Sequence, residues 1–97
     1  MAGIDLRTCV REVPDFPEPG VGFKDISPLL LDPEALRQAV GELAAWTKER
    51  EADLVLGAEA RGFWLGPAIA VEAGCGFVAA RRPGKLPPET VSATYAL

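Results

Sequence analysis

Histidine is absent from this chain of 97 residues, and cysteine occurs only at Cys9 and Cys75. Without histidine there is no imidazole for zinc binding or for acid–base chemistry near neutral pH. The two cysteines are far apart and in no metal-ligand spacing, so they read as small apolar side chains in a reducing compartment. Basic residues are also scarce: 10 Lys and Arg stand against 14 Asp and Glu, a net charge of −4. A nucleic-acid binder carries the opposite field, so nucleic acid is not an expected partner. No apolar run approaches the length of a membrane span. The N-terminus holds Asp5, Arg7 and Arg11 where a secretory leader would be apolar. The chain therefore reads as soluble and cytoplasmic, with no membrane partner.

Hydrophobic residues make up 48% of the chain, enough for a core. The length allows one small domain, 1–97. A domain this small buries about two-thirds of its unfolded surface, so stability is marginal unless its apolar faces are covered.

Ile4, Leu6, Cys9, Val10 and Val13 are spaced like one face of a short amphipathic helix over residues 3–13, which Pro14 would end. Pro14-Asp15-Phe16-Pro17-Glu18-Pro19-Gly20 is too proline-rich for a regular element, and Phe16 in so stiff a frame is expected to pack onto the body. Residues 21–26 read as a short strand or extended turn. Gly22 permits close backbone approach there. Phe23 is most simply a core side chain, and alternatively an aromatic face for a planar ligand. Ser27 to Leu31 could form one helical turn. Asp32-Pro33-Glu34 is a helix start, with a capping side chain, proline at the first position and acid in the first turn. Leu36, Ala39, Val40, Leu43 and Ala44 then repeat at helical spacing to about Arg50.

Residues 53–57 form the first clear strand, and 63–73 a helix apolar nearly all round, hence expected to be buried. Gly66 within it marks a close approach of another backbone, and Gly74 is its stop. Residues 76–80 supply the next strand, completing a βαβ unit. Val91, Ala93, Tyr95 and Leu97 alternate with polar or small residues, a pattern for a strand with one buried face.

The chemistry concentrates on the loops after the two parallel strands, where α/β sheets bind ligands. Gly57-Ala58-Glu59-Ala60-Arg61-Gly62 and Arg81-Arg82-Pro83-Gly84-Lys85-Leu86-Pro87-Pro88 place Arg61, Arg81, Arg82 and Lys85 at one sheet edge. Either loop alone would read as solvated charge; two converging loops favour a dense anion such as phosphate or pyrophosphate. Gly57 and Gly62 have the spacing of the P-loop glycines, but Phe63-Trp64 replaces the Lys-Ser/Thr pair, so nucleotide triphosphate hydrolysis is excluded. Glu59 and Glu89 read as isolated carboxylates, and no nucleophile–base pair is visible.

Several segments in this order resemble the adenine phosphoribosyltransferases, type I phosphoribosyltransferases, from about Val13 to Leu97. They are Pro14-Asp15-Phe16-Pro17-Glu18-Pro19-Gly20, Phe23-Lys24-Asp25-Ile26-Ser27-Pro28-Leu29-Leu30, Glu59-Ala60-Arg61-Gly62-Phe63 and Arg81-Arg82-Pro83-Gly84-Lys85-Leu86-Pro87. The resemblance is to the N-terminal half of such enzymes. It implies an α/β fold: a partial type I phosphoribosyltransferase fold, a parallel-sheet βαβ core with an N-terminal helix and Pro-rich hood, truncated at the C-terminus. Residues 1–31 would be the purine-binding segment; residues 32–97 would be the helix, the βαβ core and the following strand.

The implied reaction is purine salvage: adenine and phosphoribosyl pyrophosphate, with Mg2+ brought by the latter, give AMP and pyrophosphate. Phe23 would stack on adenine, flanked by backbone groups of Gly22 and Lys24. Ala60 and Arg61 would lie in the pyrophosphate loop, which can carry a non-proline cis peptide. Lys85 and Arg81 would also bind pyrophosphate, with Arg81 reaching into the partner subunit of a homodimer. No residue here is implied as a catalytic acid or a direct metal ligand. The mobile Glu-Tyr loop and the ribose-phosphate turn of such enzymes are expected beyond Leu97, so the 97 residues alone are expected to be inactive. The alternatives are a non-catalytic module or fragment that binds purine or pyrophosphate, or that only dimerises. A regulator of this fold would need a basic DNA-binding segment, and residues 1–13 are too short and too mixed in charge for one.

Overall fold

The computed structural model describes residues 3–87 and 89–94. Seven elements follow a 3₁₀ turn at Leu6–Cys9: β1 (Arg11–Val13), β2 (Phe23–Asp25), α1 (Ser27–Leu31), α2 (Pro33–Glu49), β3 (Leu54–Ala58), α3 (Gly62–Ala73) and β4 (Gly76–Ala80). They form two sheets. β1 and β2 pair antiparallel, and β3 and β4 pair parallel with α3 between them in sequence. The chain is thus α/β, with the βαβ unit expected from the sequence.

The N-terminal segment departs from the expected helix over residues 3–13. Asp5 caps only a single 3₁₀ turn, its carboxylate accepting from the Arg7 N–H at 3.1 Å. Val10 then leaves in an extended conformation (φ −109°, ψ 123°). Residues 11–13 are claimed instead by a ladder with β2, in which Arg11 faces Asp25 and Glu12 faces Lys24. Both cross-strand pairs join opposite charges, Arg11 to Asp25 at 2.6 Å and Lys24 to Glu12. Pro14 keeps Val13 extended, which suits a strand as well as it ends a helix. The proline-rich segment forms the turn between the strands. It is closed by Phe16 N–H to the Val21 carbonyl (2.9 Å) and Gly20 N–H to the Asp15 carboxylate (2.9 Å), and the Phe16–Pro17 bond is cis.

Asp32 caps α2 as the sequence indicates, accepting from the N–H groups of Glu34 (3.0 Å) and Ala35 (3.4 Å). Ala35 and Ala39 on α2 bury against Leu29, with Ile4, Leu6, Cys9, Leu30 and Leu36 around them. Gln38 ties the N-terminal segment to this core: its amide accepts from the Ile4 N–H (2.7 Å) and donates to the Ile4 carbonyl (2.6 Å). α2 packs on α3, where Ala44 and Ala70 are also buried. Small side chains at such contacts let helix axes approach closely.

The buried face of α3 is narrow. Gly66 and Ala70 are its buried residues, whereas Trp64 is 51% and Val71 81% exposed. The expectation of a helix buried all round fails because α2 and the two-stranded sheet cover only one side of it. Gly66 meets the ring of Phe77, not another backbone; any side chain at position 66 would strike that ring. Gly74 ends α3 in the left-handed region at φ +79°, as anticipated. Residues 91–94 form no strand, and Val91 is fully exposed, because none of the described elements pairs with them. The remainder of that expected strand, residues 95–97, lies outside the described residues.

Candidate functional site

β3 and β4 run parallel with Ala58 opposite Ala80, so the segments that follow them leave the sheet side by side. The Glu59 N–H donates to the Ala80 carbonyl at 2.9 Å and extends the pairing by one residue. The Glu59–Ala60 peptide is cis, in the loop that can carry such a bond in the enzymes the chain resembles. Arg61 precedes the first residue of α3. The N–H groups of Phe63 and Trp64 bond back to the carbonyls of Ala60 (3.0 Å) and Arg61 (3.1 Å). Those of Ala60 and Arg61 donate to no backbone carbonyl among the described residues. The loop therefore offers free amides, an exposed guanidinium and a helix N-terminus, all suited to an anion.

This loop is tight because Gly57 and Gly62 touch. A Cβ on Gly57 would lie 2.5 Å from the Gly62 carbonyl oxygen, and one on Gly62 would lie 2.8 Å from the Gly57 backbone. Two glycines five positions apart thus act as a backbone-to-backbone contact, not as a triphosphate loop.

Glu59 is not isolated. Its Oε1 accepts from Arg81 Nε (3.1 Å) and from the Arg82 backbone N–H (3.1 Å), and its Oε2 accepts from Arg82 Nη2 (3.4 Å). The Arg82 N–H bond, with help from both guanidinium groups and against some desolvation, holds the Glu59 carboxyl below the usual carboxylate range. Sequence reasoning missed this residue, although a signal existed. Parallel pairing that ends at Ala58 and Ala80 places residues 59 and 81 opposite one another, and their charges are opposite.

Arg81 folds back within this chain. Besides Glu59 it reaches the Lys85 carbonyl (3.5 Å), and its guanidinium lies 5.8 Å from the centre of the Phe63 ring. Lys85 is exposed in the same loop, at a turn where Gly84 takes φ +82°. Ala60, Arg61, Arg81 and Lys85 are thus brought to one edge of the β3–β4 sheet.

Gly22, Phe23 and Lys24 lie elsewhere, on or beside β2. Phe23 is half-buried and meets Phe16 edge to face, with ring centres 5.1 Å apart. The two rings, with Arg11, Val13 and Asp25, line an open hollow of about 240 Å³. Phe16 reaches the body through this contact yet stays 49% exposed. Gly22 borders open space, with nothing within 4 Å of a Cβ built there. Lys24 is engaged with Glu12. Asp25 accepts from Ser27 Oγ (2.7 Å) and Ser27 N–H (2.9 Å) as well as from Arg11; the Ser27 bonds chiefly hold its carboxyl below the ordinary value. Among the described residues, no hydrogen bond or ion pair joins this hollow to the cationic edge.

An adenine phosphoribosyltransferase of a Synechococcus species is 53% identical over 95 residues, 97% of this chain and 54% of its own. The chain is homologous to the adenine phosphoribosyltransferases. No family profile matches it. Crystal structures of such enzymes share its fold. The adenine phosphoribosyltransferase of Thermoanaerobacter pseudethanolicus superposes with a TM-score of 0.87 at 45% identity, covering 94% of this chain and 54% of that one. The yeast enzyme, complexed with an iminoaltritol bisphosphate and adenine, gives 0.86 at 33% identity, covering 93% and 56%. The type I phosphoribosyltransferase fold is therefore present in part. The chain spans about half the length of the relatives it matches.

Proposed function

We propose that this chain carries the purine and pyrophosphate sites of an adenine phosphoribosyltransferase that transfers phosphoribosyl from phosphoribosyl pyrophosphate to adenine. The observation that carries the reading is the cationic edge: a tight Gly57–Gly62 loop opening α3, joined through Glu59 to the loop that holds Arg81 and Lys85. Arg61, Arg81, Lys85 and the Ala60 amide would bind the pyrophosphoryl group and neutralise it as it leaves an oxocarbenium-like ribose. Phe23 would stack on adenine, with the backbone of Gly22 and Lys24 beside its edge. Mg2+ fits this chain as an ion carried by the substrate, because Glu59, the carboxylate between the two loops, has both oxygens engaged by arginine donors. A homodimer in the cytoplasm is the setting in which we expect the complete active site, with the groups of the relatives' unmatched half included.

The test combines turnover and binding. The protein is mixed with adenine, phosphoribosyl pyrophosphate and Mg2+, and AMP is followed by chromatography. Titration calorimetry with adenine and with inorganic pyrophosphate runs alongside. AMP formation supports the enzyme reading directly. Binding of both ligands without AMP supports the two sites and assigns these residues a binding role alone. Binding of neither ligand overturns the reading.

A further inference from the structure

We propose that Glu59 is a positioning residue: its carboxylate clasps the 81–85 loop to the loop that opens α3, so that the cations of both loops face one anion. The proposal rests on the pyrophosphate site proposed above.

Electrostatics alone argues against a carboxylate here. A negative charge among Arg61, Arg81, Arg82 and Lys85 weakens the attraction of that edge for an anion. Glu59 is nevertheless the most enclosed charged group of the cluster, its side chain 10% exposed against 36% for Arg81 and 80% for Arg82. It spends both oxygens on the second loop. Oε1 holds Arg81 Nε and the Arg82 N–H at 3.1 Å each, and Oε2 holds Arg82 Nη2 at 3.4 Å.

Among the described residues, the second loop has little else to position it beyond the Arg81 guanidinium 5.8 Å from the centre of the Phe63 ring. Its other hydrogen bonds, Lys85 N–H to the Arg82 carbonyl (3.3 Å) and Arg81 Nη1 to the Lys85 carbonyl (3.5 Å), are internal to it. Among the described residues, Glu59 is the side chain that links the two loops by hydrogen bonds. Its hold on the Arg82 N–H sets the backbone path, and its hold on Arg81 Nε leaves Arg81 Nη2 without a hydrogen-bond partner among the described residues. An ordered pair of loops binds more tightly than a loose pair, because ordering then costs nothing at the moment of binding.

The two roles predict opposite signs, which makes the test sharp. Three variants are compared with the unmodified protein: Glu59→Gln, Glu59→Ala and Glu59→Asp. Inorganic pyrophosphate is titrated by calorimetry, and hydrogen exchange of the 81–85 segment is read by mass spectrometry without ligand. Circular dichroism confirms that each variant is folded, and Glu59→Asp, which keeps the charge, covers failure of the other two.

The clasp predicts that Glu59→Gln and Glu59→Ala bind pyrophosphate about tenfold more weakly, as expected for losing charge-assisted hydrogen bonds, although each variant gains one unit of positive charge. It also predicts faster exchange over residues 81–85 in Glu59→Ala, and partial rescue of both readouts in Glu59→Asp. Equal or tighter pyrophosphate binding by Glu59→Gln with unchanged exchange overturns the proposal: Glu59 would then be a counter-charge only. If the unmodified protein binds no pyrophosphate, the pyrophosphate part of the functional reading fails. The exchange comparison then decides the clasp alone, faster exchange in Glu59→Ala upholding the joint and unchanged exchange overturning it.

Discussion

Gly57 and Gly62 pack backbone against backbone across the turn that joins β3 to α3. A methyl group on Gly57 would sit 2.5 Å from the Gly62 carbonyl oxygen and 2.9 Å from the Phe77 ring. The backbone of a helix start cannot give way without moving the whole loop, and the ring is held between Gly57, Gly66 and Phe63. Gly57→Ala is therefore expected to lower stability by about 1–3 kcal/mol, the usual range for overpacking. Urea unfolding measures this as a lower midpoint with an unchanged slope. Pyrophosphate affinity should fall with it; a midpoint equal to that of the unmodified protein contradicts the contact.

Phe23 supplies one of the two aromatic surfaces of the β1–β2 hollow, beside Phe16. Phe23→Ala is expected to weaken adenine binding by about 1–3 kcal/mol, the range for a base stacked on an aromatic side chain. Pyrophosphate binding should be unaffected, since among the described residues no hydrogen bond or ion pair links the hollow to the cationic edge. Calorimetry with each ligand separately checks both halves. Equal losses for the two ligands would indicate general unfolding and sink the assignment of Phe23 to the purine.

Gln38 copies a backbone by bonding both the N–H and the carbonyl of Ile4. Gln38→Ala removes both partners, at a net cost of about 1–3 kcal/mol for two partly buried bonds. The loss should be local. Amide exchange at Ile4 and proteolysis near residues 3–9 are expected to accelerate, while exchange in β3 and β4 stays as before. A uniform acceleration would show that the N-terminal segment is integral to the whole fold.

Asp25 supplies a pH dependence. Its carboxyl is held below its ordinary value of 3.8, first by the Ser27 hydroxyl, then by the Ser27 N–H, with Arg11 adding to the shift. A group with a depressed folded pKa stabilises the fold above its unfolded value and loses that contribution as pH falls through the folded value. The unmodified protein should therefore exceed Asp25→Asn in stability at pH 7, and the gap should shrink below about pH 3.8. Urea midpoints at pH 7, 5 and 3 measure it. A gap that is constant with pH would mean that the carboxylate charge has no part in holding β2 to α1.

Much of the fold was legible because its signals are local. Asp32-Pro33-Glu34 starts α2 by chemistry carried in three consecutive residues, and Gly74 stops α3 because that position needs φ +79°. The strands flanking α3 announce themselves as short apolar runs, and the structure pairs them in parallel. The cationic loops were equally plain, since a parallel pair delivers both loops to one edge whatever lies around it. What could not be read was which residues meet across the chain. Leu6, Cys9, Val10 and Val13 are spaced alike for a helix and for a turn followed by a strand, and the choice falls to β2, ten or more residues away. Gly66 signalled crowding but not its cause, because Phe77 reaches it only once the βαβ unit has closed.

The amino-acid order by itself determined α2 and α3, the cap of α2 and the stop of α3, the parallel unit and the placement of cations after its strands. Each depends on backbone preference and on spacing within a few residues. The tertiary structure alone decided three things. It made residues 11–13 a strand, left one side of α3 exposed, and turned Glu59 from a solitary carboxylate into the link between two loops. In each case the deciding energy comes from a partner distant in sequence: a facing strand, a covering layer, or a backbone N–H that a carboxylate meets only when Ala58 and Ala80 lie side by side.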